Sequence, residues 1–133
     1  NRIDSPPMRK ILAFSCVVEV GTALVLMIDP SIVVKALLGA MISPVGSIIG
    51  RCFGITLLAL GVACWPGRQQ VASGSPAVRA MRIYNALIAL YLACLGTLGS
   101  MRGPLLWPAA LLHAAVALAL AWPGRAGPGS RNA

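Results

Sequence analysis

The stretch ILAFSCVVEVGTALVLMI, Ile11–Ile28, decides the fold. Its 18 residues carry a single charge, Glu19, and follow directly on Arg9 and Lys10. A run of this length is close to the ~20 residues that cross the hydrocarbon core of a bilayer as a helix. Lipid offers no hydrogen bonds, so a segment crossing it must satisfy its own backbone, and a helix does so. Three further runs have the same character. Pro44–Trp65 contains Arg51 as its one charge, Ala77–Leu98 is charge-free after Arg82, and Pro104–Trp122 has no charge at all.

Composition agrees. Of 133 residues, 58% are hydrophobic and 11% charged, and mean hydropathy is +0.83. Soluble domains run at about 25% charged. A disordered chain is excluded, the composition argues against a soluble globular domain, and the expected partner is the lipid bilayer. Eleven Lys and Arg against three Asp and Glu give a net charge of +8. These basic residues flank apolar runs without an aromatic-rich basic stripe, so no nucleic-acid partner is expected. Cys16, Cys52, Cys64 and Cys94 all lie inside apolar runs with no CxxC pair. They read as small buried hydrophobes rather than as a zinc site or disulfide framework.

The predicted fold is all-α: an integral-membrane antiparallel four-helix bundle with a short extra interfacial helix between spans 1 and 2. The spans are expected at about 11–28, 44–65, 77–98 and 104–122, within one domain over residues 8–123. Residues 1–7 read as an N-terminal extension and 124–133 as a flexible cytoplasmic tail. Ser43-Pro44 and Ser75-Pro76 each offer an N-cap followed by proline at the first helical position. Gly103-Pro104 opens the fourth run, and Pro108 is expected to bend it. Asp29, Pro30 and Gly39 have the order of cap, first position and stop for the short helix. With the N-terminus inside, the inner side carries Arg2, Arg9, Lys10, Arg68, Arg79, Arg82, Arg125 and Arg131, and the outer side Lys35 and Arg102. That bias predicts a multi-pass protein with both termini cytoplasmic.

Polar residues inside the spans are the candidate site. Counted from the outer span ends, Glu19 and His113 lie about 13 Å deep, Arg51 and Tyr91 about 10 Å. One residue from each span thus falls in a common layer. Glu19 and Arg51 are expected to pair, because an unpaired arginine in lipid costs several kcal/mol. The pair reads either as a structural lock or as part of a ligand site. Asn85 and Tyr84 are secondary polar residues, Asn85 being expected to hydrogen-bond between helices. Gly46, Gly50 and Gly54 form a GxxxGxxxG ladder, with Gly61 beyond it. Ala110, Ala114, Ala117 and Ala121 form a small-residue stripe. Packing within one bundle and a homodimer seam are both open readings of these features.

No catalytic set is present: the only acidic residues are Asp4, Glu19 and Asp29, and no P-loop, GxGxxG or HExxH occurs. No enzyme, metal site or cofactor is expected. The favoured reading is a non-enzymatic membrane accessory or subunit protein, built on a Glu19–Arg51 pair and able to bind a small lipid-soluble ligand such as a quinone. The alternatives are a proton-coupled secondary transporter working as a dimer, and a haem-binding redox protein using His113.

The run GRCFGITLLALGVACW, Gly50–Trp65, with MRIYN at Met81–Asn85 and LWPAALLH at Leu106–His113, resembles small bacterial four-span proteins of the DoxX-like group. The resemblance covers about Met8 to Trp122. It implies a four-span bundle in a bacterial inner membrane, and for some members an association with membrane redox or quinone-linked systems. Separately, VEVGT at Val18–Thr22 is similar to the glutamate-bearing first helix of small multidrug resistance transporters. That similarity implies proton exchange at Glu19.

Overall fold

A computed structural model describes residues 6–67, 71–99 and 101–122. The tail 124–133 and most of the N-terminal extension lie outside the described residues. The described residues form five helices: α1 (Pro6–Ile28), α2 (Pro30–Leu38), α3 (Pro44–Ala63), α4 (Pro76–Leu98) and α5 (Leu106–Ala121). No strand occurs among the described residues.

Local chemistry explains the boundaries. Asp29, Ser43 and Ser75 each have an extended backbone and precede a proline. Their side chains accept the orphan N–H groups of Ser31 (3.0 Å), Gly46 (3.0 Å) and Val78 (3.4 Å). Helix α2 stops at Gly39, whose φ of 66° is the left-handed conformation that glycine adopts without steric cost. The fifth helix begins differently from the sequence expectation. Pro104 and Leu105 form a turn, and the Gly103 and Leu105 N–H groups donate to Leu37 O and Ala36 O, both at 2.9 Å. The loop before α5 therefore caps the C-terminal carbonyls of α2. Starting at Leu106, α5 places Pro108 in its first turn, where no intrahelical acceptor waits for an N–H, so no bend is required.

Three helices are long and apolar enough to cross a membrane: Met8–Ile28, Pro44–Ala63 and Pro76–Leu98. The apolar α5 is shorter, at 16 residues. Large apolar side chains point outward from all four, among them Phe14, Ile48, Phe53, Leu90 and Leu118. An apolar exterior of this extent suits hydrocarbon and not water. Trp65, Trp107 and Trp122 are exposed near helix ends, where indole rings favour the headgroup zone. These are the features of a helical membrane protein.

Helix α3 packs mainly on α1, and α5 on α4, with α1 bridging to α4 and α5. One apolar cluster joins Met8, Leu12 and Cys16 of α1 with Cys64, Val78, Met81, Val116 and Leu120 at one end. Two smaller clusters fill the α2 end: Ala23, Leu26 and Leu57 between α1 and α3, and Leu92, Leu106 and Ala110 between α4 and α5. The polar side chains lie between these apolar layers.

The glycine ladder serves packing inside the chain. A Cβ at Gly54 would lie 2.9 Å from Ala23 O and 3.0 Å from Leu26 Cβ, and one at Gly50 would lie 2.7 Å from Pro30 Cβ. Gly61 does the same against Val20 and Cys16. At Gly46 the nearest atoms belong to Ile42 and Ser43, its own preceding turn, so this member of the ladder meets no other helix. In the alanine stripe Ala110 and Ala117 are buried, Ala114 is half-buried and Ala121 is exposed. Cys16 and Cys64 are buried as expected, but Cys52 and Cys94 face outward.

Candidate functional site: a buried polar cluster

Helix α1 places Ser15 and Glu19 one turn apart on a single face. Both are buried, Glu19 with 2% of its surface exposed. Across from them α4 presents Tyr84 and Asn85, and α5 presents His113. The Tyr84 hydroxyl donates to Glu19 Oε2 at 3.1 Å. Asn85 Nδ2 donates to Met81 O at 2.8 Å and to Ser15 Oγ at 3.1 Å. Because a carbonyl can only accept, these bonds fix the amide: Oδ1 is the atom that faces His113. It lies 2.8 Å from His113 Nδ1, so Nδ1 carries the hydrogen and donates. The rings of Tyr84 and His113 meet edge-on, centroids 6.1 Å apart.

One atom is left over. Glu19 Oε1 is buried and has no hydrogen-bond partner among the described residues. The nearest basic nitrogen is His113 Nδ1 at 3.7 Å, beyond hydrogen-bonding distance. That contact is the one ion-pair distance among the described residues. Also among the described residues, no group of three or more His, Cys, Asp or Glu side chains could hold a metal ion.

The expected Glu19–Arg51 pair does not form. Arg51 is exposed, and its Nε donates to Met27 O at 3.3 Å, at the C-terminal end of α1, where a cation complements the helix dipole. Register explains the separation. Gly54 lies against Ala23–Met27 and Gly61 against Cys16 and Val20, so α3 runs past the end of α1 toward α2. Arg51 is therefore level with Met27, eight residues or about 12 Å along the axis from Glu19. Counting depth from Pro44 placed Arg51 too near the carboxyl, because the ends of α1 and α3 do not share a plane.

Tyr91 also departs from expectation, lying seven residues past Tyr84, about 10 Å further along α4. It is 63% exposed. Of the expected layer, then, Glu19 and His113 come together, joined by Tyr84 and Asn85; Arg51 and Tyr91 do not. Ser15 was missed by sequence reasoning. Its position four residues before Glu19, on the same helical face, was the available signal.

At the membrane boundary Asp29 caps α2. The hydrogen bond from Ser31 holds its carboxyl below the usual carboxylate range, and the charge of Arg51 adds to this. Compared with family models, curated proteins and solved structures, the chain matches none.

Proposed function

We propose that this is a non-enzymatic membrane accessory or subunit protein whose working site is the buried cluster of Glu19, Tyr84, Asn85 and His113, and that the cluster receives a small lipid-soluble ligand. The observation that carries this reading is Glu19 Oε1, buried without a partner among the described residues beside the hydrogen bonds that link the cluster. Leaving a buried polar atom unpaired costs about 1–3 kcal/mol, more when it is charged, and such atoms in native proteins call for an explanation. A ligand that completes the set relieves that cost. In this proposal α5 is a fourth, short span. Both termini face the cytoplasm of a bacterium, as the Lys and Arg bias and the DoxX-like resemblance imply.

The test is the mass spectrum of small molecules retained by the protein purified in lipid nanodiscs. Wild type is expected to retain a compound that Glu19→Gln loses while keeping its helicity. An identical profile for both proteins sinks the reading.

A second reading is favoured by the position of Arg51. Among the described residues no arginine lies at Glu19, and a carboxyl not neutralised by a permanent cation suits a proton-coupled transporter. In liposomes that reading requires substrate-driven proton movement that disappears in Glu19→Gln.

A further inference from the structure

Two opposite charges meet at the junction of α1 and α2 without pairing. Arg51 is exposed and tied at Nε to Met27 O, so its guanidinium is anchored beside the last turn of α1. Among the described residues no hydrogen bond involves its terminal nitrogens. Asp29 lies just past Met27, exposed, and accepts the Ser31 N–H at Oδ1. Gly50, next to Arg51, packs on Pro30, next to Asp29, where a Cβ would lie 2.7 Å from Pro30 Cβ. The two charged side chains thus flank one contact. The arginine's charge is felt at the carboxyl, yet the pair stays beyond ion-pair distance. The other cations near α2 belong to its far end: Lys35 lies in the last turn, and a Cβ at Gly39 would lie 2.9 Å from Arg102 O.

Inward of Arg51, the outer side of the α1–α3 contact is apolar. By helical phase Ile55 and Val62 fall within about 40° of Arg51 on α3, and Val17 and Leu24 share one flank of α1. In antiparallel neighbours the residues that follow two facing contact positions point to the same side of the seam. Leu24 follows Ala23, and Ile55 follows Gly54, so these flanks adjoin. The four side chains are 48% to 64% exposed. From Arg51 to Val62 the seam runs ~16 Å. That is about half of the ~30 Å hydrocarbon core, the depth of one leaflet.

We propose that Asp29 and Arg51 hold the headgroup of a zwitterionic phospholipid of the phosphatidylethanolamine type, with its phosphate on Arg51, its ammonium on Asp29 and one acyl chain along the α1–α3 seam. The planar guanidinium fork suits phosphate oxygens, and an ammonium N–H donates to a carboxylate. A purely anionic headgroup brings its charge up to Asp29, and a purely cationic one up to Arg51. A headgroup with both signs joined by a short link satisfies both residues. The site is separate from the buried cluster and does not depend on a ligand there.

The test is native mass spectrometry of the full chain released from nanodiscs of phosphatidylethanolamine and phosphatidylglycerol in equal parts with identical acyl chains, counting the lipids retained. Wild type is expected to keep phosphatidylethanolamine over phosphatidylglycerol by about threefold, the size of effect an exposed ion pair supplies. Asp29→Asn keeps the α2 cap but removes the charge, and should abolish that preference. Arg51→Gln should lower retention of both lipids. Lys35→Gln, at the far end of α2, should leave the wild-type ratio unchanged. Equal retention in wild type, or a preference for phosphatidylglycerol, overturns the inference. So does a preference that survives in both Asp29→Asn and Arg51→Gln, or one that is lost in Lys35→Gln instead; either places the headgroup elsewhere on the protein. If Arg51→Gln does not fold, wild type and Asp29→Asn decide between them.

Discussion

On the side facing α3, helix α1 meets glycine; on the side facing α4 and α5 it meets hydrogen-bonding side chains. The first contact is steric. Gly54 and Gly61 let backbones approach until a Cβ would strike Ala23 O or Val20. The second is chemical, a set of bonds from Tyr84, Asn85 and His113 to Glu19, Ser15 and one another. Between helices in lipid the hydrophobic effect offers little drive, so close packing and polar contacts must supply cohesion. The difference lies in what each tolerates. A glycine contact is lost on adding one carbon but has no preferred proton state or ligand. The polar contact includes a buried carboxyl oxygen with no partner among the described residues, so its strength depends on proton state.

The largest effect should come from the steric face. Gly54→Leu places a side chain where Ala23 O, Leu26 and Met27 already lie, and should destabilise by about 3 kcal/mol, the upper range for overpacking. Unfolding in mixed micelles measures it, and a loss under 1 kcal/mol would mean that α3 is not held where described. On the polar face Asn85→Ala removes the hub of the cluster. It strips Ser15 and His113 of their partner, and a loss of about 2 kcal/mol is expected. Asn85→Ala should also release His113 to the mixed tautomers of a free imidazole, a change in 15N shift that Gly54→Leu should not produce while folded.

The helices were legible because lipid leaves the backbone few choices. Three apolar runs, three proline-preceding caps and Gly39 marked α1 to α4, including the short α2, although α1 begins at Pro6, ahead of its apolar run and inside the expected extension. The start of α5 was not legible. What caps α2 there is the backbone of Gly103 and Leu105, and backbone donors have no sequence signature. In the site, residue types were readable but their depth was not. Glu19 and His113 stood out as ionisable groups in lipid. Whether Arg51 is a neighbour depended on how far α3 overruns α1, and that register is set by the contacts of Gly54 and Gly61, two turns apart. An arginine appeared to be the natural partner for Glu19 on charge alone; a longitudinal offset of about 12 Å overrules charge.

The same offset gives a sharper test of the two faces. A double-mutant cycle between Glu19→Leu and Tyr84→Phe should show coupling of about 1 kcal/mol, since each removes one end of the 3.1 Å bond. The corresponding cycle between Glu19→Gln and Arg51→Ala should be additive within about 0.5 kcal/mol, as for sites that share no partner. Coupling above about 1 kcal/mol in the second cycle would restore the ion pair and displace α3 along α1.

The smallest effect belongs to Asp29, at the boundary and fully exposed to its surroundings. Its carboxylate accepts the Ser31 N–H and so holds the first turn of α2. Because the folded state keeps this carboxyl below its ordinary value, the contribution is fully present above the ordinary carboxylate range. It fades as pH falls through the lowered folded value, where the unfolded chain has already bound its proton. Amide exchange of α2, read against that of α1 in the same sample, should accelerate over that acidic window. In Asp29→Asn the acidic step should disappear while the cap persists, since an asparagine side chain accepts the same N–H without titrating. If the step survives in Asp29→Asn, the group governing α2 is not Asp29, and the contact between α2 and the 103–105 backbone becomes the place to look.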